Sequence, residues 1–315
     1  MKTRRRLTIL LYDKSWGRKY FRPIQDDPVY QTTSDFSMLP HADVVLFHVP
    51  TSPHPGRVRK YAGQKWGAYT LESDVNYPRL CDPEYMAHFD FTMTYRWDSD
   101  VPLMSWWPEL RGLILQPPKP KTEAAEAVHF DSNPQERSGR IDYVRELMRY
   151  LKVDCYGRAF HNRELADDRG RESKLQAVAR YHFDLAFENS ITPDYVSEKF
   201  FDSLAAGSVP VYRGAPNIEE FAPGDHCFIN AADSHGPQEL AEYLLHLVKN
   251  PAEYNAYFAW KERPLRESFL KKIEIAEKDP FRRLSDLMLA RGFSPRRAGV
   301  WKAFAWPWRR QSDTR

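Results

Sequence analysis

The chemistry of this chain concentrates in one short run, from Glu188, Asn189 and Ser190 through Tyr195 to Glu198 and Lys199. Asp194 is expected to cap a helix whose apolar stripe is Val196, Phe200, Phe201, Leu204 and Ala205, with Gly207 closing it. A helix start offers free backbone N–H groups and a positive dipole end, which suit an anion such as a diphosphate. Lys199 would add a full positive charge there, and Glu198 a carboxylate able to accept hydrogen bonds from sugar hydroxyls. Asn189 and Tyr195 add polar and stacking groups to the same junction. The same residues also describe a solvated ion pair on an exposed helix face, so local reading leaves two alternatives, a phosphate site and a surface pair. Other candidates are weaker. Asp98-Ser99-Asp100 has the spacing of a D-x-D metal pair, but such triplets arise by chance, and a charged loop without metal is expected. His129, His161, His182, His226 and His235 show no paired spacing and are expected at the surface or in hydrogen-bonded loops. Cys81, Cys155 and Cys227 form no CxxC pair and read as reduced core thiols of a cytoplasmic protein.

The elements that must position these groups read as strands alternating with helices, the pattern of a parallel sheet covered on both faces. Strands are expected at residues 7–12, 42–48, 66–71 and 89–95 in the first half. The QPPKPK run at 116–121 breaks every periodicity and reads as the connection between two domains. Beyond it the sequence predicts a helix over 138–151 and a strand over 153–157. A capping box, Ser173-x-x-Gln176, would open a helix running to about Tyr181, followed by strands over 183–187 and 209–212. In such β-loop-α-β units ligands bind beyond the carboxyl ends of the strands, which is where Glu188 to Lys199 fall.

Composition narrows the alternatives. The 315 residues include 46 Lys and Arg against 43 Asp and Glu, a net charge of +3, too balanced for nucleic acid to be the default partner. A hydrophobic share of 42% excludes a disordered chain. Lys2 and Arg4 to Arg6 ahead of the apolar run at 7–12 resemble a leader, but the run stops at Asp13 and reads better as a first buried strand. No stretch approaches the ~18–20 apolar residues of a membrane span. Residues 291–310 interleave Arg and Lys with Phe293, Trp301, Phe304, Trp306 and Trp308. That mixture suits the interface of an anionic bilayer, and equally aromatics docking on the protein's own surface.

At residues 183–223, FDLAFENSITPDYVSEKFFDSLAAGSVPVYRGAPNIEEFAP, followed by NPAEYNAYFAWK at 250–261, the chain resembles the α-1,3/4-fucosyltransferases of glycosyltransferase family 10. ADVVLFHVP at 42–50, GQKWGAYTLES at 63–73 and FDFTMTYRWDSD at 89–100 resemble upstream blocks of the same family. The resemblance implies an α/β protein of GT-B type, two Rossmann-like domains facing each other across a cleft. It implies an acceptor-binding domain at 1–121, a GDP-fucose-binding domain at 122–275, and a C-terminal helix and basic aromatic tail at 276–315. It further implies inverting transfer of L-fucose from GDP-β-L-fucose to an acceptor oligosaccharide or glycoconjugate, α-1,3 on N-acetylglucosamine or glucose. The family's general base falls on Glu72, its phosphate lysine and sugar-contacting glutamate on Lys199 and Glu198, and its ENS asparagine and block tyrosine on Asn189 and Tyr195. Its diphosphate arginine falls on Arg140, with Arg137 as rival. No cofactor is required and a divalent metal is at most stimulatory. The enzyme is expected in the cytoplasm, peripheral at the inner face of the membrane. Glu72-Ser73-Asp74 where the family has E-S-P, and LMSWWP in place of its P-Y-G, bear on the acceptor side. The alternatives are a GT-B transferase using another nucleotide sugar, and a non-catalytic glycan- or membrane-binding protein of the same fold.

Overall fold

The structure is a computed structural model and describes residues 6–13 and 24–293. Among the described residues, ten strands form two five-stranded sheets. The first contains β1 (Leu7–Tyr12), β2 (Tyr30–Thr33), β3 (Val44–His48), β4 (Lys65–Thr70) and β5 (Phe91–Thr94) in the order β2-β1-β3-β4-β5. The second contains β6 (Ala127–Phe130), β7 (Val153–Tyr156), β8 (Phe183–Phe187), β9 (Val209–Arg213) and β10 (Ile229–Asn230) in the order β10-β9-β8-β6-β7. Every described pairing is parallel. Counted from its own first strand, each sheet runs 2-1-3-4-5, the doubly wound order in which ligands bind where the winding reverses. Central strands such as VVLFH and FDLAF are buried along their whole length, because helices and loops cover both faces. The molecule is thus an α/β protein of two Rossmann-like units, the GT-B arrangement.

The helices are α1 (Pro83–Met86), α2 (Leu110–Leu113), α3 (Arg140–Leu147), α4 (Arg171–Val178), α5 (Glu198–Ala206), α6 (Pro237–Lys249), α7 (Pro251–Ala256), α8 (Glu267–Ala276) and α9 (Pro280–Ala290). Two expected caps are corrected. Helix α5 starts three residues later than Asp194 implies: Ser197 is its N-cap, with Oγ accepting from the Lys199 N–H. Asp194 instead adopts a left-handed backbone, φ 67°, in the preceding loop. Helix α4 is capped by Gly170, and Ser173 lies inside its first turn, where its Oγ accepts the Arg169 N–H at 2.9 Å. At Gly207, the C-cap of α5 with φ 70°, an added Cβ would come within 2.9 Å of the Pro118 Cα. Glycine there both ends the helix and lets the interdomain connection cross it.

Two side-chain expectations are also corrected. His129 lies on β6 and is fully buried, its Nδ1 against the Leu185 carbonyl at 3.0 Å, and burial drives its pKa down to about 3. Cys81 is exposed, whereas Cys155 and Cys227 are buried.

After the second unit the chain returns to the first. Leu284 and Met288 of α9 are buried against Leu7, Ile9, Val101 and Leu103, each side chain contributing about 1.5–3 kcal/mol by its burial. The Tyr30 hydroxyl donates to Asp279 at 2.7 Å, and Arg283 donates to the Pro102 carbonyl at 2.8 Å. Arg291 pairs with Asp100, which also accepts the Thr92 N–H at 2.8 Å. Asp98 faces Arg96 at 3.5 Å instead, so the two acids of the D-x-D triplet serve different partners. Among the described residues no helix is long and apolar enough to cross a membrane. Of the basic aromatic stretch at 291–310, residues beyond Phe293 lie outside the described residues.

Candidate active site

Residues just past the carboxyl ends of β4, β6 and β8 line one cavity of about 650 Å³. The first unit contributes Leu71, Glu72 and the segment from Met104 to Trp107; the second contributes Asp131, Ser132, Asn133, Arg140, Lys174, Asn189, Tyr195, Ser197, Glu198 and Lys199. β6 and β8 are the first and third strands of the second sheet, so its wall is the reversal point of that sheet. All six residues singled out from the sequence, Glu72, Arg140, Asn189, Tyr195, Glu198 and Lys199, meet here. Arg137 is exposed and is not among the cavity-lining residues.

The two units are stitched along one side of the cavity. Asn76 Nδ2 donates to Asn189 Oδ1 at 2.9 Å, and the Ser190 and Ser73 hydroxyls lie 2.5 Å apart. The Trp97 N–H donates to Asp194 Oδ2 at 3.2 Å, and the Tyr195 ring meets Tyr95 edge-on at 5.2 Å. Asp194 is therefore an interdomain bridge rather than a cap. Glu72 turns off the end of β4, its N–H donating to Thr70 Oγ1 at 2.8 Å, and its Oε2 lies 3.5 Å from the Tyr195 hydroxyl. A carboxylate of the first unit thus shares the cavity with the cations of the second.

Those cations are held among acids. Lys199 Nζ donates to Glu198 Oε1 at 3.1 Å and Ser197 Oγ at 3.2 Å, and lies 3.9 Å from Glu188 Oε2. Burial lowers the lysine's pKa, but Glu198 and Glu188 outweigh it and hold the ammonium charged. Burial raises Glu198, yet Lys199 and Lys174 bring its carboxyl down to about 2. Glu188 is completely buried; Oε1 accepts the Ser197 N–H at 2.7 Å, Oε2 has no hydrogen-bond partner, and burial raises its pKa against the pull of Lys199. A Cβ on Gly214 would lie 2.5 Å from Glu188 Cγ, so only glycine fits beside this carboxylate.

Arg140 is 1% exposed. Its Nη2 donates to Asp131 Oδ1 at 2.5 Å and to the Asn133 carbonyl at 3.0 Å, and Nη1 donates to the Phe187 carbonyl at 3.1 Å. Each terminal nitrogen of Arg140 therefore has a protein partner, while its Nε is buried without one. Arg140 organises the loops after β6 and β8, and its charge reaches the cavity already paired with Asp131. Burial raises the Asp131 carboxyl and Arg140 opposes that rise.

Two further residues of the site, Asp131 and Lys174, escape sequence reasoning, and Glu188, though it opens the run singled out there, is given no role of its own by it. Asp131 opens the Asp-Ser-Asn-Pro turn after β6, a four-residue strand, and reads as an ordinary turn residue. Lys174 reads as one more polar position inside a helix; only the fold carries it to the cavity.

Comparison with known proteins gives two family matches. Residues 118–284 match "Glycosyltransferase family 10 (fucosyltransferase) C-term", and residues 4–105 match "Fucosyltransferase, N-terminal". A fucosyltransferase-like protein of Arabidopsis thaliana is 40% identical over 224 residues, 70% of this chain and 41% of its own length. The Homo sapiens 3-galactosyl-N-acetylglucosaminide 4-alpha-L-fucosyltransferase FUT3 is 36% identical over 253 residues, 75% of this chain and 66% of its own. The Homo sapiens 4-galactosyl-N-acetylglucosaminide 3-alpha-L-fucosyltransferase FUT5 is 36% identical over 248 residues, covering 75% and 64%. This chain therefore spans between two fifths and two thirds of these curated relatives. A crystal structure of an alpha1,3-fucosyltransferase shares the fold with a TM-score of 0.56 at 18% identity, over 87% of this chain and 89% of that one.

Proposed function

Because the chain belongs to glycosyltransferase family 10, the fucosyltransferases, we propose that it transfers L-fucose from GDP-β-L-fucose, with inversion, to the 3-hydroxyl of N-acetylglucosamine or glucose in an acceptor glycan. The observation that supports this most directly is the meeting of Glu72 from one unit with Arg140, Asn189, Tyr195, Glu198 and Lys199 from the other in a single cavity. Inversion needs one carboxylate to take the acceptor hydroxyl's proton as the anomeric carbon is attacked, and fixed positive charge opposite it for the departing diphosphate. Glu72 is the base in this reading. Lys199 faces the leaving phosphates, Glu198 and Asn189 hold fucose hydroxyls, and the Tyr195 hydroxyl, 3.5 Å from Glu72, keeps that carboxylate aimed into the cleft.

The test is a transfer assay with GDP-fucose over N-acetyllactosamine, chitobiose-type and lipid-linked acceptors, with the anomeric configuration and linkage of the product read by NMR. An α-linked fucose on O3 is the expected product. A β-linkage, or transfer only from another nucleotide sugar, would remove the proposal. Protein cations supply the charge for the leaving group, so turnover in excess EDTA should stay within about twofold of that with magnesium, set against the several kcal/mol a required Lewis acid contributes.

We place the protein in the cytoplasm, peripheral on the inner membrane face through the basic aromatic stretch at 291–310. Each Lys or Arg near an anionic surface contributes about 1 kcal/mol, so a chain ending at Phe293 should lose most of its co-sedimentation with acidic vesicles. Equal sedimentation of the two chains would instead assign those aromatics to the protein's own surface.

A further inference from the structure

A diphosphate brings at least two negative charges into a cavity whose cations are already matched. Lys199 faces both Glu198 and Glu188, and Arg140 is spent on Asp131. Glu72 adds a further negative charge from the first unit. Counted by these partners alone, the donor side of the cavity would repel its ligand.

Lys174 changes that balance. It reaches the cavity from α4, and its Nζ donates at 2.9 Å to Asp202 of α5, whose carboxylate is 1% exposed. The same carboxylate accepts from Arg171 Nη2 at 2.6 Å and Nε at 2.9 Å, so two cations meet one acid. Arg171 stacks its guanidinium 4.1 Å over the ring of Trp107 on the cavity wall and is not itself among the lining residues. Glu109, its other acidic neighbour, is largely exposed at 3.5 Å, where solvent weakens the pairing. Asp184, buried behind α5 and bonded to the Ser203 hydroxyl at 2.7 Å, is not a cavity-lining residue. Lys174 therefore brings to the cavity wall a cation whose hydrogen-bonded acid, Asp202, is also neutralised by Arg171, and which acts on Glu198 as well.

We infer that Lys174 is a further ligand of the donor diphosphate, adding its positive charge to that of Lys199. This rests on the GDP reading above. A charge-assisted contact of this kind is lost at a cost of about 10- to 100-fold in affinity.

Equilibrium binding of GDP and of guanosine to the wild-type, Lys174→Met and Lys174→Arg proteins tests it. Arg171 still neutralises Asp202 in both variants, and a thermal melt verifies that each is folded. Lys174→Met should bind GDP about 10-fold or more weakly, with guanosine unchanged and Lys174→Arg closer to wild type. GDP affinity within about twofold of wild type, or an equal loss for guanosine, would overturn the assignment, because a merely structural lysine does not tell phosphate from nucleoside. A wild-type protein that binds no GDP would overturn the donor reading itself; a wild type that binds it while Lys174→Met binds equally well would remove Lys174 alone.

Discussion

Glu72→Gln should cut fucosyl transfer by about 10²-fold or more while leaving GDP affinity and melting temperature near wild type. Glutamine keeps the shape of the side chain and can still meet the Tyr195 hydroxyl, 3.5 Å from Oε2, but it cannot take a proton. The position carries little of the fold: Glu72 is half-buried just past β4, and the bond that fixes the turn comes from its backbone N–H to Thr70. Its bland alternative, a carboxylate capping the loop with Ser73 and Asp74, predicts the opposite pattern, a lowered melting temperature with turnover retained. Steady-state kinetics on a proven acceptor, alongside GDP titration and a thermal melt, separates the two. Turnover within about threefold of wild type would take Glu72 out of the mechanism.

Lys199→Ala should have the largest combined effect, because the ammonium faces both the ligand and a fully buried carboxylate. Losing a charge-assisted phosphate contact costs about 1.5–3 kcal/mol, or about 10- to 150-fold in GDP affinity. Removing the cation that pairs with Glu188 Oε2 leaves a buried charge, a further loss on the order of 3 kcal/mol in folding stability at neutral pH. The pH dependence has a definite sign. The Glu188 carboxyl is already raised by burial in the wild type, and without Lys199 it rises further. A carboxyl raised on folding costs nothing where both states are protonated, costs progressively more as pH climbs from its unfolded value to its folded value, and costs a constant amount above that. Glu198 loses the partner that helps hold it near 2, which acts in the same direction. The stability deficit of Lys199→Ala should therefore be small near pH 4 and largest above neutrality. Adding Glu188→Gln should restore much of the stability but none of the GDP affinity. A deficit that is flat with pH, with unchanged GDP binding, would reduce Lys199 to an ordinary helix residue.

What was legible in the sequence follows from which signals are local. The strands at 7–12 and 183–187 are continuous apolar runs bounded by polar residues, and the structure places β1 and β8 at those limits. Gly207 ends α5 as expected, since a left-handed C-cap is a property of that one residue. The second strand, YQTT, escaped notice because it is a four-residue edge strand with alternating burial and only one large apolar side chain. Asp194 was misread as a cap because Asp and Ser are equally good caps, and only the tertiary demand of Trp97 and Asn217 for its carboxylate distinguishes the bridge from the cap. Lys174 and Asp131 reach the cavity through pairings of β6 with β7 and β8, which no periodicity encodes. The setting of Arg140 is not encoded locally, since the carboxylate and two carbonyls that hold it come from the loop after β6 and the end of β8.

The return of α9 to the first sheet has a consequence for how the molecule is made. Leu7 and Ile9 leave the ribosome early, yet the groups that cover them, Leu284 and Met288, are almost the last of the described chain to emerge. Throughout translation of the second unit the nascent first sheet carries an uncovered apolar strip, the kind of surface that chaperones hold and that aggregates when they do not. Domains usually mature in the order of their synthesis; here the half that is made first is the half that is finished last.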